Sequence, residues 1–195
     1  MKKQRGRLIV LSAPSGSGKT TIAKAIMQKY PSIVFSVSAT TRSLRNGEQH
    51  GKDYYFLSRE EFERRIKAGK LVEWEEIYGD LYGTLKSEID GALETGRVML
   101  LDVDVKGALS IKQHYPEALL IFIKPPSVES LKQRLTGRKT EDELALGKRL
   151  ERVPMELELG AKFDHQIVND DLPQAIARVE AIVAKHAELE PIHSS

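Results

Sequence analysis

An apolar, β-branched run near the start of the chain leads directly into a loop of glycine and serine. Leu8–Leu11 form the run, and Ala13–Thr20 read Ala-Pro-Ser-Gly-Ser-Gly-Lys-Thr. Ile22, Ile26 and Tyr30 then recur at helical spacing. This order predicts a strand, a loop and a helix. Because a strand that is apolar on both faces must be buried on both, the pattern indicates a parallel sheet covered by helices.

Three further apolar runs have the length of buried strands. They are Ile33–Val37, Val98–Val103 and Leu119–Ile123, and helical patterns follow the last two. A shorter strand, His165–Val168, precedes a final helix that carries apolar residues at helical spacing. The sequence therefore predicts an α/β fold whose core is a parallel sheet flanked by helices.

Residues 39–96 differ in character from this core and predict an inserted α+β unit. A polar loop precedes two short strand patterns, Asp53–Leu57 and Leu71–Glu75, which are expected to pair as antiparallel strands around one helix. That helix, Ser58–Ala68, opens with a capping box of Ser58 and Glu61 and is expected to end at Gly69.

A second irregular stretch, Thr136–Gly147, is crowded with charge and separates two helical segments. We interpret it as a lid. The whole chain, 1–195, is then one domain, with the core in 1–38, 97–135 and 150–190, the insertion in about 39–96 and the lid in about 136–149.

Composition excludes several classes of function. The 195 residues contain no cysteine, which excludes disulfides, a cysteine nucleophile and thiolate metal sites. A net charge of +2 is too balanced for general binding to nucleic acid, and the five histidines lack metal-ligand spacing. No apolar run approaches the ~20 residues of a bilayer span, so we expect a cytoplasmic protein without a membrane partner.

The glycine-rich loop has the composition of a phosphate-binding loop between a strand and a helix. Gly16 and Gly18 allow backbone N–H groups to turn toward a phosphate, Lys19 can reach the β and γ oxygens, and Thr20 can ligate Mg²⁺. Ala13 stands where the usual pattern has its first glycine, so this position must suit a residue with a Cβ. An ordinary Gly/Ser loop is the alternative interpretation.

Asp102 ends a strand of the buried type. ATPases with a phosphate-binding loop usually carry an acidic residue near the metal at the end of such a strand. A surface aspartate at a strand end is the alternative. We therefore expect a nucleoside triphosphate with Mg²⁺ as the first ligand, Thr20 and Asp102 holding the ion through water.

Polar residues in the insertion suggest what accepts the phosphoryl group. Arg42 and Arg45 follow a strand three residues apart, and guanidinium groups suit a phosphate monoester. Tyr54 and Tyr82 add hydroxyl donors, and Glu73 lies between them in the sequence. Taken singly, each residue could instead be a solvated loop charge, a core aromatic or a strand-face carboxylate.

Together these segments closely resemble the guanylate kinase family. The matching segments are SAPSGSGKTT, FSVSATTR, GEQHGKDYYF, VEWEEIYGDLYGT, LLDVDVKG, FIKPPSVESLKQRL and IVNDD. They run in family order from residue 8 to about 185. The resemblance implies a P-loop kinase core with a GMP-binding insertion and a helical lid, and Mg²⁺-dependent phosphoryl transfer from ATP to GMP and also dGMP. Protein partners are not implied.

The resemblance also implies roles for residues that match family positions. For GMP the implied residues are Ser38, Arg42, Arg45, Tyr54, Glu73, Tyr82, Thr84 and Asp104, the two arginines and two tyrosines on the phosphate and the others on guanine. For ATP they are Ala13, Pro14, Ser15, Gly16, Ser17, Gly18, Lys19, Thr20, Thr21, Arg134 and Asn169. For catalysis they are Lys19, Arg42, Arg138 and Arg149. Thr84 replaces the common serine and keeps the hydroxyl, and Lys139 replaces a common glycine in the lid.

Two rival functions share this scaffold. One is a related ribose-bisphosphate phosphokinase, against which the combination of insertion residues argues. The other is the guanylate-kinase-like domain of membrane-associated scaffolds, which binds phosphorylated partners and lacks an intact phosphate loop. Lys19, Thr20, Ser38 and the lid arginines favour the enzyme.

Overall fold

The computed structural model describes residues 5–77, 79–136 and 143–189. Its core is a five-stranded sheet in the order β2-β7-β1-β8-β9, in which every neighbouring pair is parallel. The strands are β1 (Arg7–Ser12), β2 (Val34–Phe35), β7 (Val98–Asp102), β8 (Leu119–Lys124) and β9 (His165–Val168). The predicted parallel sheet is confirmed, although β2 is shorter than the apolar run that predicted it.

A second, four-stranded sheet occupies the inserted segment in the order β4-β3-β6-β5. Its strands are β3 (Ala39–Thr40), β4 (Tyr55–Phe56), β5 (Leu71–Ile77) and β6 (Asp80–Leu85). β6 is antiparallel to both β3 and β5, but β3 and β4 are parallel. The expectation of purely antiparallel pairing is therefore wrong for β4, because the long loop after β3 lets the chain return in the same direction.

Helices surround the two sheets. In chain order they are α1 (Lys19–Lys29), α2 (Arg59–Lys67), α3 (Lys86–Glu94), α4 (Val105–His114), α5 (Val128–Thr136), α6 (Glu143–Gly160) and α7 (Leu172–Ala187). The Ser58 hydroxyl caps α2 by accepting a hydrogen bond from Glu61 N at 3.1 Å. Gly69 follows α2 with a φ of 63°, so both predicted ends of this helix are confirmed.

Both faces of the core sheet are buried. Ile9, Leu11 and Ile121 pack with α1 and α7 on one face. Val10 and Phe122 pack with α3, α4 and part of α6 on the other. This alternation along the strands explains the continuous apolar runs of the sequence.

The charge-rich stretch between α5 and α6 is shorter than the sequence suggested. Thr136 is the last residue of α5 and Glu143–Gly147 already belong to α6, so the prediction of irregular structure is wrong for these six residues. Within the described residues, no helix has the length and apolar character needed to cross a membrane.

Candidate active site

The glycine-rich loop connects β1 to the first turn of α1. Gly16 and Gly18 have φ of 87° and 90°, a conformation that side chains with a Cβ rarely adopt. Ser17 N donates to Pro14 O at 3.1 Å, and Asn169 Nδ2 donates to Ser17 O at 2.8 Å. A Cβ on Gly18 would lie 2.4 Å from that Asn169 nitrogen. The loop is therefore held in a curved form by its own turn and by the residue that follows β9.

Lys19 lies at the start of α1 and contacts the end of β7. Its ammonium pairs with the carboxylate of Asp102, and Nζ donates to the carbonyl of Val103 at 3.3 Å. The register places Asp102 beside Leu11, two residues before the loop begins. The loop, the lysine and the strand-end carboxylate thus meet at one edge of the sheet.

A cleft of about 350 Å³ opens over this edge. Its walls include the loop residues from Ala13 to Thr21, together with Asp104 and three side chains of α6. One of these, Arg149, donates from Nη1 to Ser15 Oγ at 2.9 Å. Because backbone N–H groups, Lys19 and Arg149 all line the cleft, it suits a polyanionic ligand.

The insertion carries a second cationic group. Arg42 pairs with Glu48 through two hydrogen bonds, Nη1 to Oε2 at 3.0 Å and Nη2 to Oε1 at 2.7 Å. The Arg42 Cζ lies 5.4 Å from the centroid of the Tyr54 ring. Tyr54 in turn meets the Tyr82 ring edge-on at 6.2 Å between centroids. The main-chain N–H of Arg45 also donates to Glu48 Oε2, at 2.8 Å.

The Tyr54 hydroxyl is partly buried and is affected by a charge at the end of β7. Burial raises the pKa of the Tyr54 hydroxyl, and the negative charge of Asp102 contributes to the same shift. The hydroxyl therefore lies within electrostatic reach of the residue that pairs with Lys19.

Glu73 provides a partly buried hydrogen-bond acceptor on the smaller sheet, and we call Glu73 and its neighbours Thr84 and Asp104 the acceptor site. The register places it opposite Thr84, whose Oγ1 donates to Glu73 Oε1 at 2.5 Å. Burial raises the pKa of Glu73 to about 7, and the nearby carboxylates of Asp104 and Glu75 act in the same direction. Gly107 lies against the other oxygen, since a Cβ there would be 2.8 Å from Oε2.

Asp104 lies between Glu73 and the loop cleft. Its Oδ1 accepts from Gly107 N at 2.8 Å and caps α4. Burial alone would raise the pKa of Asp104, but hydrogen bonds from Glu75 and from two backbone N–H groups hold it below its usual value. Burial, and then the hydrogen bond with Asp104, raise the pKa of Glu75 to about 7.

Comparison with known proteins identifies this arrangement. A family model described as guanylate kinase matches residues 5–186. The chain belongs to the guanylate kinase family.

Individual relatives agree over most of their length. The guanylate kinase of Chlorobaculum tepidum is 50% identical over 188 residues, which cover 96% of this chain and 95% of that protein. The guanylate kinase of Synechocystis is 46% identical over 181 residues, 93% of this chain and 95% of that protein. The crystal structure of guanylate kinase from Anaplasma phagocytophilum has a TM-score of 0.75 at 32% identity and covers 97% of this chain and 92% of that one.

The guanylate kinase fold brings most of the predicted site residues into three groups. The phosphate loop, Lys19, Asp102 and Arg149 line or adjoin the loop cleft. Glu73, Thr84 and Asp104 form the acceptor site beside it, and Arg42, Tyr54 and Tyr82 form the arginine–tyrosine group. Ala13 lacks the left-handed backbone of Gly16 and Gly18, which explains why a Cβ is tolerated there.

The remaining predicted residues have more distant contacts. Arg134 donates from Nη2 to the carbonyl of Asn169 at 3.0 Å, so it adjoins the loop cleft indirectly. Ser38 accepts at its carbonyl from Tyr55 N at 2.9 Å, and the Arg45 side chain is exposed. Arg138 lies outside the described residues.

Sequence reasoning missed four charged residues of this region. They are Glu48, Glu75, Arg152 and Glu156. Two had a local signal, because Glu75 lies on the same strand face as Glu73 and Arg152 lies one helical turn after Arg149. Glu48 had none, since it sits in a polar loop with several other charged residues.

Proposed function

We propose that this chain transfers the γ-phosphoryl group of ATP to GMP, giving ADP and GDP, in a reversible reaction. Membership of the guanylate kinase family supports a GMP kinase function. The observation that carries the proposal is the position of Asp104, which lines the loop cleft and also adjoins Glu73. A triphosphate held by the loop and a base held by Glu73 would therefore occupy adjacent sites.

The donor site is formed by the phosphate loop and its neighbours. The residues proposed for ATP are Ala13, Pro14, Ser15, Gly16, Ser17, Gly18, Lys19, Thr20, Thr21, Arg134 and Asn169. Lys19 is paired with Asp102 in the structure, and a polyphosphate in the cleft would compete for its ammonium. Arg149 already contacts the loop at Ser15, and it is proposed to bind the transferred phosphoryl group.

The acceptor site distinguishes guanine from adenine. The Glu73 carboxylate can accept from guanine N1–H and N2–H₂, whereas adenine has neither donor. With AMP the partly buried carboxylate would remain unpaired, and discrimination by such mismatches reaches roughly 10⁴-fold. Ser38, Thr84 and Asp104 are proposed to complete the base site, and dGMP, which keeps the base, is expected to be accepted.

The GMP phosphate is proposed to bind Arg42, Arg45, Tyr54 and Tyr82. Arg42 is held by Glu48, so GMP must exchange one carboxylate partner for a phosphate. The exchange keeps the guanidinium fully paired in both states, which limits the cost of desolvating it.

Catalysis requires positioning and charge neutralisation. The nucleophile is a phosphate oxygen of GMP, whose second pKa of ~6 leaves it ionised at neutral pH, so no general base is needed. Lys19, Arg42, Arg138 and Arg149 are proposed to hold the two anions together against their repulsion and to stabilise charge on the transferred group. Closure of the lid over the cleft would exclude water and prevent hydrolysis of ATP.

The residues present also fit a magnesium ion. Thr20 and Asp102 place a hydroxyl and a carboxylate at the mouth of the loop, and Mg²⁺ prefers oxygen ligands of this kind while retaining several waters. When bound, the ion neutralises charge on the β and γ phosphates. The role of the protein is to orient Thr20 and Asp102 toward the triphosphate.

The same proposal divides the chain into three functional parts. Residues 1–38, 97–135 and 150–190 form the donor core, about 39–96 the GMP-binding insertion and about 136–149 the lid. ATP and GMP are cytoplasmic metabolites, and we place this step of purine nucleotide metabolism in the cytoplasm.

The test measures ADP formation from ATP and Mg²⁺ with GMP, dGMP, AMP, CMP or UMP, or without acceptor. Turnover is expected with GMP and dGMP, and AMP should be at least roughly 10³-fold poorer in kcat/KM. Lys19→Ala should lower kcat by two or more orders of magnitude, on the scale of about 3 kcal/mol, while the Kd for GMP changes little. Comparable turnover with AMP, or GMP binding without turnover, would contradict the proposal.

A further inference from the structure

One turn of α6 contacts both nucleotide sites. Arg149 donates to Ser15 of the phosphate loop at 2.9 Å. Arg152, three residues later on the same helix face, donates from Nη2 to Glu75 Oε1 at 3.0 Å and Oε2 at 3.2 Å. The helix that approaches the donor loop is thereby joined to strand β5 of the insertion.

Glu75 lies on strand β5 close to residues that are proposed to bind GMP. It lies two residues after Glu73 and therefore on the same strand face. In the register with β6, Glu73 faces Thr84 and Glu75 faces Tyr82. Glu75 therefore lies beside Glu73, which is proposed to bind the base of GMP, and opposite Tyr82, which is proposed to bind its phosphate.

The pair is more enclosed than an ordinary surface ion pair. The side chains of Arg152 and Glu75 are 33% and 22% exposed, whereas Arg59 of α2 and its partner Glu76 of β5 are each 49% exposed. Glu156 Oε1 lies 3.8 Å from Arg152 Nε, and Asp104 shares a hydrogen bond with Glu75. The Arg152 guanidinium therefore lies near the carboxyl groups of Glu75, Glu156 and Asp104, and partial burial strengthens its interaction with each of them that is ionised.

The pair also provides a specific connection between two parts of the molecule. Among the side chains that the structure describes, Arg152 links α6 to the smaller sheet through its two hydrogen bonds with Glu75. Strand β5 otherwise lies at the edge of its sheet and packs against β6 and α4. A change in the position of α6 can therefore reach β5 through this contact.

We propose that Glu75 and Arg152 are positioning residues that couple the binding of the two nucleotides. ATP would hold α6 through Arg149, GMP would hold β5 through Glu73, and the ion pair would join these two elements. The nucleotide that binds first then orders both elements. The second nucleotide binds more tightly, because the loss of conformational entropy on ordering has already occurred. This inference rests on the proposed function, since it assumes that both nucleotides bind at these sites.

The experiment measures the Kd of GMP by calorimetry, alone and with a saturating non-hydrolysable ATP analogue. The ratio of the two values is the binding synergy, and couplings of this kind are typically about 5–150-fold. Glu75→Gln, Arg152→Gln and the double variant should each lose most of the synergy, to the same extent, while the Kd of GMP alone stays within about twofold. At saturating ATP, KM for GMP should rise with kcat nearly unchanged.

Glu76→Gln is the matched control, because it removes the pair with Arg59 on the same strand without touching α6. It should retain the wild-type synergy. Arg152→Lys keeps the charge, and because one nitrogen of Arg152 makes both contacts to Glu75, the lysine should retain part of the synergy. Thermal melts accompany each variant, and if Arg152→Gln does not fold, Glu75→Gln and Arg152→Lys decide the result.

Unchanged synergy in Glu75→Gln, or losses that add in the double variant, would overturn the inference. A wild-type protein that binds both nucleotides without synergy would overturn it as well. Failure of the wild-type protein to bind GMP or the ATP analogue would instead contradict the proposed function, so the two failures are distinguishable.

Discussion

Gly107 has only a hydrogen atom as its side chain, and this leaves room for the Glu73 carboxylate in the acceptor site. Its position in the first turn of α4 accommodates alanine, but the added Cβ would lie 2.8 Å from Glu73 Oε2 and 3.1 Å from Glu73 Cδ. The flexible carboxylate would move, and the fold would not. We expect Gly107→Ala to raise KM for GMP roughly tenfold, the equivalent of one or two weakened hydrogen bonds, with an unchanged or higher Tm.

Gly91→Ala is the control for this substitution. Gly91 lies in α3, and a Cβ there would have no atom within 4 Å. It should raise stability by up to about 1 kcal/mol and leave GMP kinetics as they are. A Gly107→Ala enzyme with normal KM would show that Glu73 does not need its present position.

At the residue scale, the sequence predicted side chains whose roles follow from local patterns. Lys19 and Asp102 were identified from a loop pattern and a strand end, and the structure brings them into an ion pair. The partners of Arg42 and Arg152 could not be found this way. Glu48 and Glu75 pair with them through loop and tertiary geometry that no local periodicity encodes.

At the scale of elements, the end of α6 is fixed against the core sheet by Gly160. A Cβ there would lie 2.4 Å from Phe122 Cε1. The Phe122 ring is fully buried and contacts Phe163 at 5.4 Å between centroids, so it has no room to move. Gly160→Ala should destabilise the protein by about 1–3 kcal/mol, which at this size lowers Tm by roughly 2–4 °C per kcal/mol.

Gly147→Ala tests the same helix without the clash, because a Cβ on Gly147 would meet no atom within 4 Å. Thermal melts of the two variants should move in opposite directions, since alanine is the better helix former. Equal melting temperatures would mean that α6 can shift on the sheet without cost.

Elements buried on both faces were the most predictable. The apolar runs located β1, β7 and β8 to within about one residue, because both faces of each of these strands are buried. The bounds of β9 were also predicted, although only Ile167 of that strand is buried. The parallel pairing of β3 and β4 could not be predicted. Each strand has two residues, too few for a periodic pattern, and their direction depends on the loop between them.

At the scale of the whole molecule, carboxylates from several elements meet between the two sheets. Glu73 and Glu75 come from β5, Asp104 from the start of α4 and Glu156 from α6. Burial raises the pKa of Glu156, as it does those of Glu73 and Glu75. Near neutral pH Glu73 and Glu75 of the free protein are therefore only partly ionised, and a bound guanine would favour the ionised form of Glu73.

GMP binding should consequently depend on pH through Glu73. In the free protein its pKa is about 7, and the bound form must be ionised to accept from guanine N1–H and N2–H₂. The complex therefore holds fewer protons than the free protein, and affinity rises with pH until Glu73 is ionised. Between pH 6 and pH 8 the ionised fraction rises from about one tenth to about nine tenths, so the Kd of GMP should fall about tenfold.

Calorimetry across this range, in buffers of different ionisation enthalpy, measures both the affinity and the protons released. The GMP phosphate also ionises near pH ~6 and accounts for only about a twofold change. Glu73→Gln cannot release a proton, so it should keep this smaller dependence and lose the rest.

The same variant should stabilise the free protein at pH 8, because wild-type folding places a carboxylate with an ordinary pKa of 4.5 where its pKa is about 7. The free energy of unfolding of the wild-type protein therefore falls as pH rises from 4.5 to about 7, and a neutral amide avoids this loss. Identical pH profiles for the two proteins would show that Glu73 is already ionised before GMP arrives.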